Sequence, residues 1–182
     1  MDKTETTEPT LSKEMLSEIK QRMEILLGKP LWDSWRILNV QIFDFGKQIS
    51  HVNKHGQTIA NGEISLRVDC SWRITRNASV VVGVNDRRLP DPESSESGDR
   101  WTLLEARLEK WLKGSVDLPK IVKGVEVDRF GGVRISLSDL SCLDIFPSTC
   151  NGEYWRLLYP ESGFERHFIV YGNKLEFSET EN

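Results

Sequence analysis

The stretch that decides the fold is Ile64-Ser65-Leu66-Arg67-Val68-Asp69-Cys70-Ser71-Trp72-Arg73-Ile74-Thr75. Ile64, Leu66, Val68, Cys70, Trp72 and Ile74 alternate without a break with Ser65, Arg67, Asp69, Ser71, Arg73 and Thr75. Successive side chains of a strand point to opposite faces, so this pattern is a strand with one face in a core and a polar face opposite. Arg76-Asn77 turns the chain, and Val80 to Val84 supplies an antiparallel partner.

Working outward, Leu31 to Gly46 reads as one long or broken strand. Trp35, Ile37, Asn39, Gln41, Phe43 and Phe45 share one face of it, and Arg36, Leu38, Val40, Ile42 and Asp44 the other. Ile121 to Asp128, Val133 to Leu137 and Leu140 to Phe146 read as three short strands turned at Gly131-Gly132 and Ser138-Asp139. Glu153 to Tyr159 and Arg166 to Tyr171 follow, interrupted by Pro160 and Gly163. Leu11, Met15, Ile19, Met23 and Leu26 form a helical stripe over Leu11 to Leu27, with Thr10 as N-cap and Gly28 and Pro30 as stop. A second helix runs from Asp99 or Arg100 to Lys113, with Trp101, Leu104, Leu108, Trp111 and Leu112 on one side and Gly114 at its end. Residues 47–61 and 85–98 read as polar loops.

The expected fold is therefore α+β: a mainly antiparallel sheet of about seven strands with two helices packed on one face. One domain is expected over residues 11–172, between a disordered tail at 1–10 and a polar tail at 173–182. The expected core holds Trp35, Trp72, Trp101, Trp111 and Trp155 with Leu66, Val68, Ile74, Val82 and Ile135.

Composition narrows the function. The 182 residues carry 24 Lys+Arg against 28 Asp+Glu, a net charge of −4. Nucleic-acid binding needs a clustered positive face, so no nucleic-acid partner is expected, and the charge suits a basic partner better. No stretch nears the roughly 18 apolar residues of a membrane span, and Met1 to Thr10 lacks the apolar segment of an export signal. The three cysteines Cys70, Cys142 and Cys150 form no disulfide framework. A cytoplasmic protein away from membranes is the expectation.

No nucleotide-binding glycine loop, no H-E-x-x-H, no C-x-x-C and no G-x-S-x-G occurs. His51 and His55 are four apart in a polar stretch with no third ligand, so neither a metal nor a cofactor is expected. Cys142 or Cys150 as a nucleophile would need a base such as His167 beside it. The strongest oddity is a Trp-Arg pair at Trp35-Arg36, Trp72-Arg73 and Trp155-Arg156. If each Trp anchors the core, each Arg lies on the other face. Arg36, Arg67, Arg73 and Arg156, tempered by Asp69, would then form a row suited to carboxylate or phosphate. The alternative is that these arginines pair with carboxylates across strands. Asp86, at the end of an apolar strand, is either a functional carboxylate or a turn residue.

Gly28-Lys29-Pro30-Leu31-Trp32, Arg36, Phe43-Asp44-Phe45-Gly46, Cys70-Ser71-Trp72-Arg73-Ile74, Val82-Gly83-Val84-Asn85-Asp86, Phe146-Pro147, Trp155-Arg156, His167-Phe168-Ile169-Val170 and Gly172 together resemble an uncharacterised family of small bacterial cytoplasmic proteins. The likeness implies a bacterial, soluble protein and carries over no activity and no catalytic residue. By size and charge the chain is also similar to immunity proteins that neutralise a partner toxin.

Two functions are expected to compete. One is a non-enzymatic, immunity-like protein-binding role through the polar sheet face. The other is a binder or enzyme for an anionic ligand, held by Arg36, Arg67, Arg73 and Arg156, with Asp86 or His167 as acid or base.

Overall fold

A computed structural model describes residues 11–52, 56–90, 102–114, 119–150, 152–161 and 164–181. In chain order these form α1 (Lys13–Met23), β1 (Pro30–Ile37), β2 (Val40–Val52), β3 (Thr58–Val68), β4 (Ser71–Arg76), β5 (Ser79–Gly83), α2 (Leu103–Lys113), β6 (Lys120–Val127), β7 (Val133–Leu137), β8 (Ser141–Phe146), β9 (Glu153–Glu161), β10 (Phe164–Tyr171) and β11 (Leu175–Glu181). Short 3-10 turns follow α1 and β5.

The sheet has eleven strands, not about seven, in the order β11-β10-β9-β3-β2-β1-β6-β7-β8-β4-β5. The added strands come from a hairpin, from the tail and from the division of Ile64–Thr75. The segment Leu31–Gly46 is a hairpin, because Leu38 takes a left-handed φ of 53° and Ile37 pairs with Val40 across a two-residue turn. The expected loop 47–61 carries the ends of β2 and β3, paired as far out as Val52 with Thr58. The expected polar tail at 173–182 carries β11, where Leu175 and Phe177 alternate with Glu176 and Ser178 opposite β10.

The alternating stretch Ile64–Thr75 is also divided. It turns a corner at Asp69–Cys70, where the two successive N–H groups donate to one carbonyl, that of Tyr154, at 3.0 and 3.1 Å. Alternation passes through this corner unchanged, so Val68, Cys70 and Trp72 all stay buried. Yet β3 and β4 lie six places apart in the sheet. The sheet therefore curls until its halves share one core. Phe43 of β2 and Trp72 of β4 meet edge to face at 5.2 Å between ring centroids. Trp155 Nε1 donates to the Gly131 carbonyl at 2.9 Å, joining β9 to the β6–β7 turn.

Both helices bury their stripes in that core rather than lying on one face of a flat sheet: Ile19 and Met23 from α1, Leu104, Leu108 and Trp111 from α2. Ser12, not Thr10, caps α1, its Oγ accepting from the Met15 N–H at 3.2 Å. Thr102 caps α2, and its N–H donates to Glu105 at 3.0 Å. Trp72, Trp111 and Trp155 are core residues as expected, but Trp35 is 36% exposed, and Trp101 lies outside the described residues. The other expected core positions, Leu66, Val68, Ile74, Val82 and Ile135, are all buried. No helix among the described residues is long and apolar enough to cross a membrane.

The register of β2 against β3 shifts between Phe45 and Gln48, where Gly46 takes a φ of +81°. Gly62 faces this bulge. A Cβ there would stand 2.7 Å from the Phe45 nitrogen and 2.8 Å from the Ile64 oxygen, both backbone atoms. Gly62→Ala is therefore expected to destabilise the fold by about 1–3 kcal/mol, as a lower urea midpoint with an unchanged denaturant slope.

Candidate functional site

A cavity of about 700 Å³ opens between β1 and α2. One wall is the row Leu104, Leu108 and Leu112 of α2, spaced at successive helical turns. The other wall holds Leu31, Trp32, Asp33, Ser34, Trp35 and Arg36. These are consecutive residues. A strand shows only alternate residues to a face, so the cavity runs along the edge of β1.

The register explains why that edge is open. β6 pairs with β1 only at Pro30 and Leu31. At Trp32 a bulge inserts one residue: Leu31 stands opposite Phe45, but Asp33 stands opposite Asp44. The alternation flips there, and β1 leaves β6. No described strand pairs with Trp32–Ile37 on the side away from β2.

Beyond the bulge, Ser34, Arg36, Gln41 and Phe43 share the core-side face, and Asp33, Trp35, Ile42 and Asp44 the outer one. Gln41 is only 1% exposed. Its Nε2 donates to Ser34 Oγ at 2.8 Å and to the Trp35 carbonyl at 3.1 Å. A carbonyl only accepts, which fixes the amide's orientation and leaves Gln41 Oε1 without a hydrogen-bond partner among the described residues. Trp32 Nε1 is buried and unpartnered in the same way. Each such atom costs about 1–3 kcal/mol in a folded chain.

Arg36 Nη2 lies 2.7 Å from Glu105 Oε1, tying the far end of β1 to α2. Burial opposes the charge on Glu105, but its bonds from Thr102 and Arg36 prevail and hold its carboxyl below the usual range. Lys120, 2% exposed, pairs with Asp139 at 3.2 Å and lies 4.8 Å from the Trp111 ring centroid. The two aspartates of the outer face have no such partner. Asp44 is fully buried and accepts from Trp35 Nε1 at 2.8 Å and from Ser65 Oγ. Asp33 is half-buried and accepts from the Ser34 N–H at 2.8 Å. Neither makes an ion pair among the described residues. Burial pushes the Asp33 carboxyl above its ordinary range; the Ser34 N–H holds it back, and neighbouring Asp44 adds to the push.

Of the residues expected as a site, Arg36 lines this cavity and the others lie elsewhere, most of them engaged. Arg36 is on the core-side face of β1, with Glu105. Arg67 and Arg156 stand opposite each other on the outer face of β3 and β9. Arg156 is held by Glu153, while Arg67 Nε has no hydrogen-bond partner among the described residues. Arg73 is on β4, 3.3 Å from Asp144. The four arginines thus form no common row, because β1 turns Arg36 inward and the corner carries Arg73 away from Arg67. Asp69 is exposed at the corner. Asp86 accepts the Gly83 N–H at 3.0 Å, in its turn role, and meets Arg107 at 3.3 Å. His167 lies 2.9 Å from Glu165. Burial raises the Cys70 thiol to about 12. His55 lies outside the described residues, and among those described no group of His, Cys, Asp and Glu is placed to hold a metal.

Sequence reasoning missed Trp32, Asp33, Gln41, Asp44 and Lys120. The available signal was Phe43-Asp44-Phe45, an acid between two core aromatics, which a half-polar strand makes ordinary. No protein-family model, no curated protein and no solved structure matches the chain.

Asp33 sets a pH test. Its folded carboxyl binds a proton more tightly than the unfolded one, so its contribution to stability is full below the ordinary aspartate value and falls as pH rises through the raised one. Asp33→Asn keeps the acceptor for Ser34 but does not titrate. The stability of the variant minus that of the parent should climb over this interval and then level. Urea titrations from pH 3 to 7 test this, and a difference flat in pH would refute it.

Proposed function

We propose that this protein is a non-enzymatic binding module that takes an extended segment of a protein partner as an added strand between β1 and α2. The observation that carries the reading is the consecutive lining by Leu31–Arg36, which exposes a strand edge and not a face. An open edge is a template for another strand, and among the described residues no strand pairs with this one beyond Leu31. Trp32–Ile37 offers a path of roughly 20 Å for such a segment. Alternate residues of the added strand would meet the leucines of α2. The acidic chain suits a basic partner, in keeping with an immunity-like role.

A second reading is favoured by one observation. Gln41 Oε1 and Trp32 Nε1 are an unused acceptor and donor on residues of a cavity whose volume falls within that of small-molecule sites. A compact uncharged ligand would use both. The anionic-ligand reading has weaker support, since the arginines on which it rests are dispersed.

A displayed library of random peptides, selected on the folded protein, separates these readings. Selected peptides should slow amide hydrogen exchange in Trp32–Ile37 at least tenfold, and Leu112→Trp, which fills the cavity, should abolish binding while leaving the circular dichroism unchanged. Protection confined to another surface, or no selected binder, would sink the strand-addition reading.

A further inference from the structure

We infer that the partner segment carries a lysine or arginine at the position that comes to lie beside Asp33. The inference rests on the strand-addition reading and adds the chemistry of the partner. Across a sheet, directly opposed residues share a face and interact as pairs. On one side of Asp33 the opposed residue is Asp44. On the other side is the open edge. An added strand would therefore extend the outer-face row to a new residue, then Asp33, Asp44 and Ser65.

That row is acidic, and neither aspartate makes an ion pair among the described residues. The cations lining the cavity already have partners: Arg36 has Glu105, Lys113 has Glu109, and Lys120 has Asp139. Like charges directly opposed across strands destabilise a sheet, and an opposite charge stabilises it. A cation supplied from the open side relieves the pair, while an acid there would make a third carboxyl in one row. A second feature also points to an occupant: buried Gln41 of β2, with its Oε1 unpartnered among the described residues, lines the same cavity from the opposite face. The partner segment is therefore two-sided, with apolar residues toward Leu104 and Leu108 and a basic residue on the outer face. The raised carboxyl of Asp33 agrees with this, since a neighbouring cation would favour its ionised form.

The probe is an acetylated and amidated six-residue peptide in which valine alternates with threonine. Lysine replaces each threonine in turn, and binding is followed by nuclear magnetic resonance titration of the β1 amides. One lysine register should bind about fivefold tighter than the parent peptide, the upper end for a cross-strand ion pair. Glutamate at that register should bind more weakly than threonine. In Asp33→Asn the lysine and threonine peptides should bind with the same affinity. If the parent peptide perturbs β1 but no lysine register gains, or the gain survives Asp33→Asn, the basic-residue inference fails while strand addition stands. If no peptide perturbs β1, both fail.

Discussion

The structure depends on a single carbonyl. The oxygen of Tyr154 receives the N–H groups of both Asp69 and Cys70, and so holds a corner within what is otherwise one uninterrupted strand pattern. Before the corner the chain lies in the middle of the sheet, between β2 and β9; after it the chain lies near the far edge, between β8 and β5. One sheet becomes two facing layers. Because the period of two survives the corner, Val68 and Trp72 fill the same core from opposite sides. Tyr154 is tied down in turn, its hydroxyl donating to the Thr149 carbonyl at 2.8 Å. Cys70, packed at the bend, is an apolar filler: a thiol raised to about 12 is not ionised at neutral pH.

The groove follows from the curl. β1 and β6 join the two layers through only Pro30 and Leu31, with backbone bonds from Gly28 N–H to the Val122 carbonyl and back from Val122 N–H to the Lys29 carbonyl. A seam this short leaves most of β1 without a neighbour on one side. Helix α2 stands off from that edge and meets it at Arg36 and Glu105. The Trp32 bulge adds a second effect. It turns Asp33 to the outer face beside Asp44, so the open edge also bears two carboxyls that make no ion pair among the described residues.

Much of the core was legible in the sequence. Period-two alternation picked out Leu66, Val68, Trp72, Ile74, Val82, Ile135 and Trp155, because burial of alternate residues is a local signal that any curvature preserves. For the same reason the corner was invisible: alternation reports which side a residue faces, and not which strand it lies beside. Trp35 was misplaced because the two-residue turn at Leu38-Asn39 reverses the phase between β1 and β2, so counting back through it from Phe43 puts Trp35 on the wrong face. β11 was hidden by its glutamates, although Leu175 and Phe177 keep strand spacing. The groove had no local signature. It arises where β1 and α2, some seventy residues apart, come together, and its polar atoms are conspicuous only by what they fail to touch.

The order of the strands also bears on how the chain is made. β3 needs β9 as its neighbour, and about ninety residues separate them along the chain. A ribosome delivers residues in sequence, at roughly 5–20 per second. For several seconds after β1, β2 and β3 have emerged, the meander they form has its β3 edge bare, with Ser65 and Arg67 on its outer face. A charged residue in the middle of such an edge discourages neighbouring chains from pairing with it. Arg67, which has no ion-pair partner among the described residues of the finished fold, is thus placed to guard the nascent one.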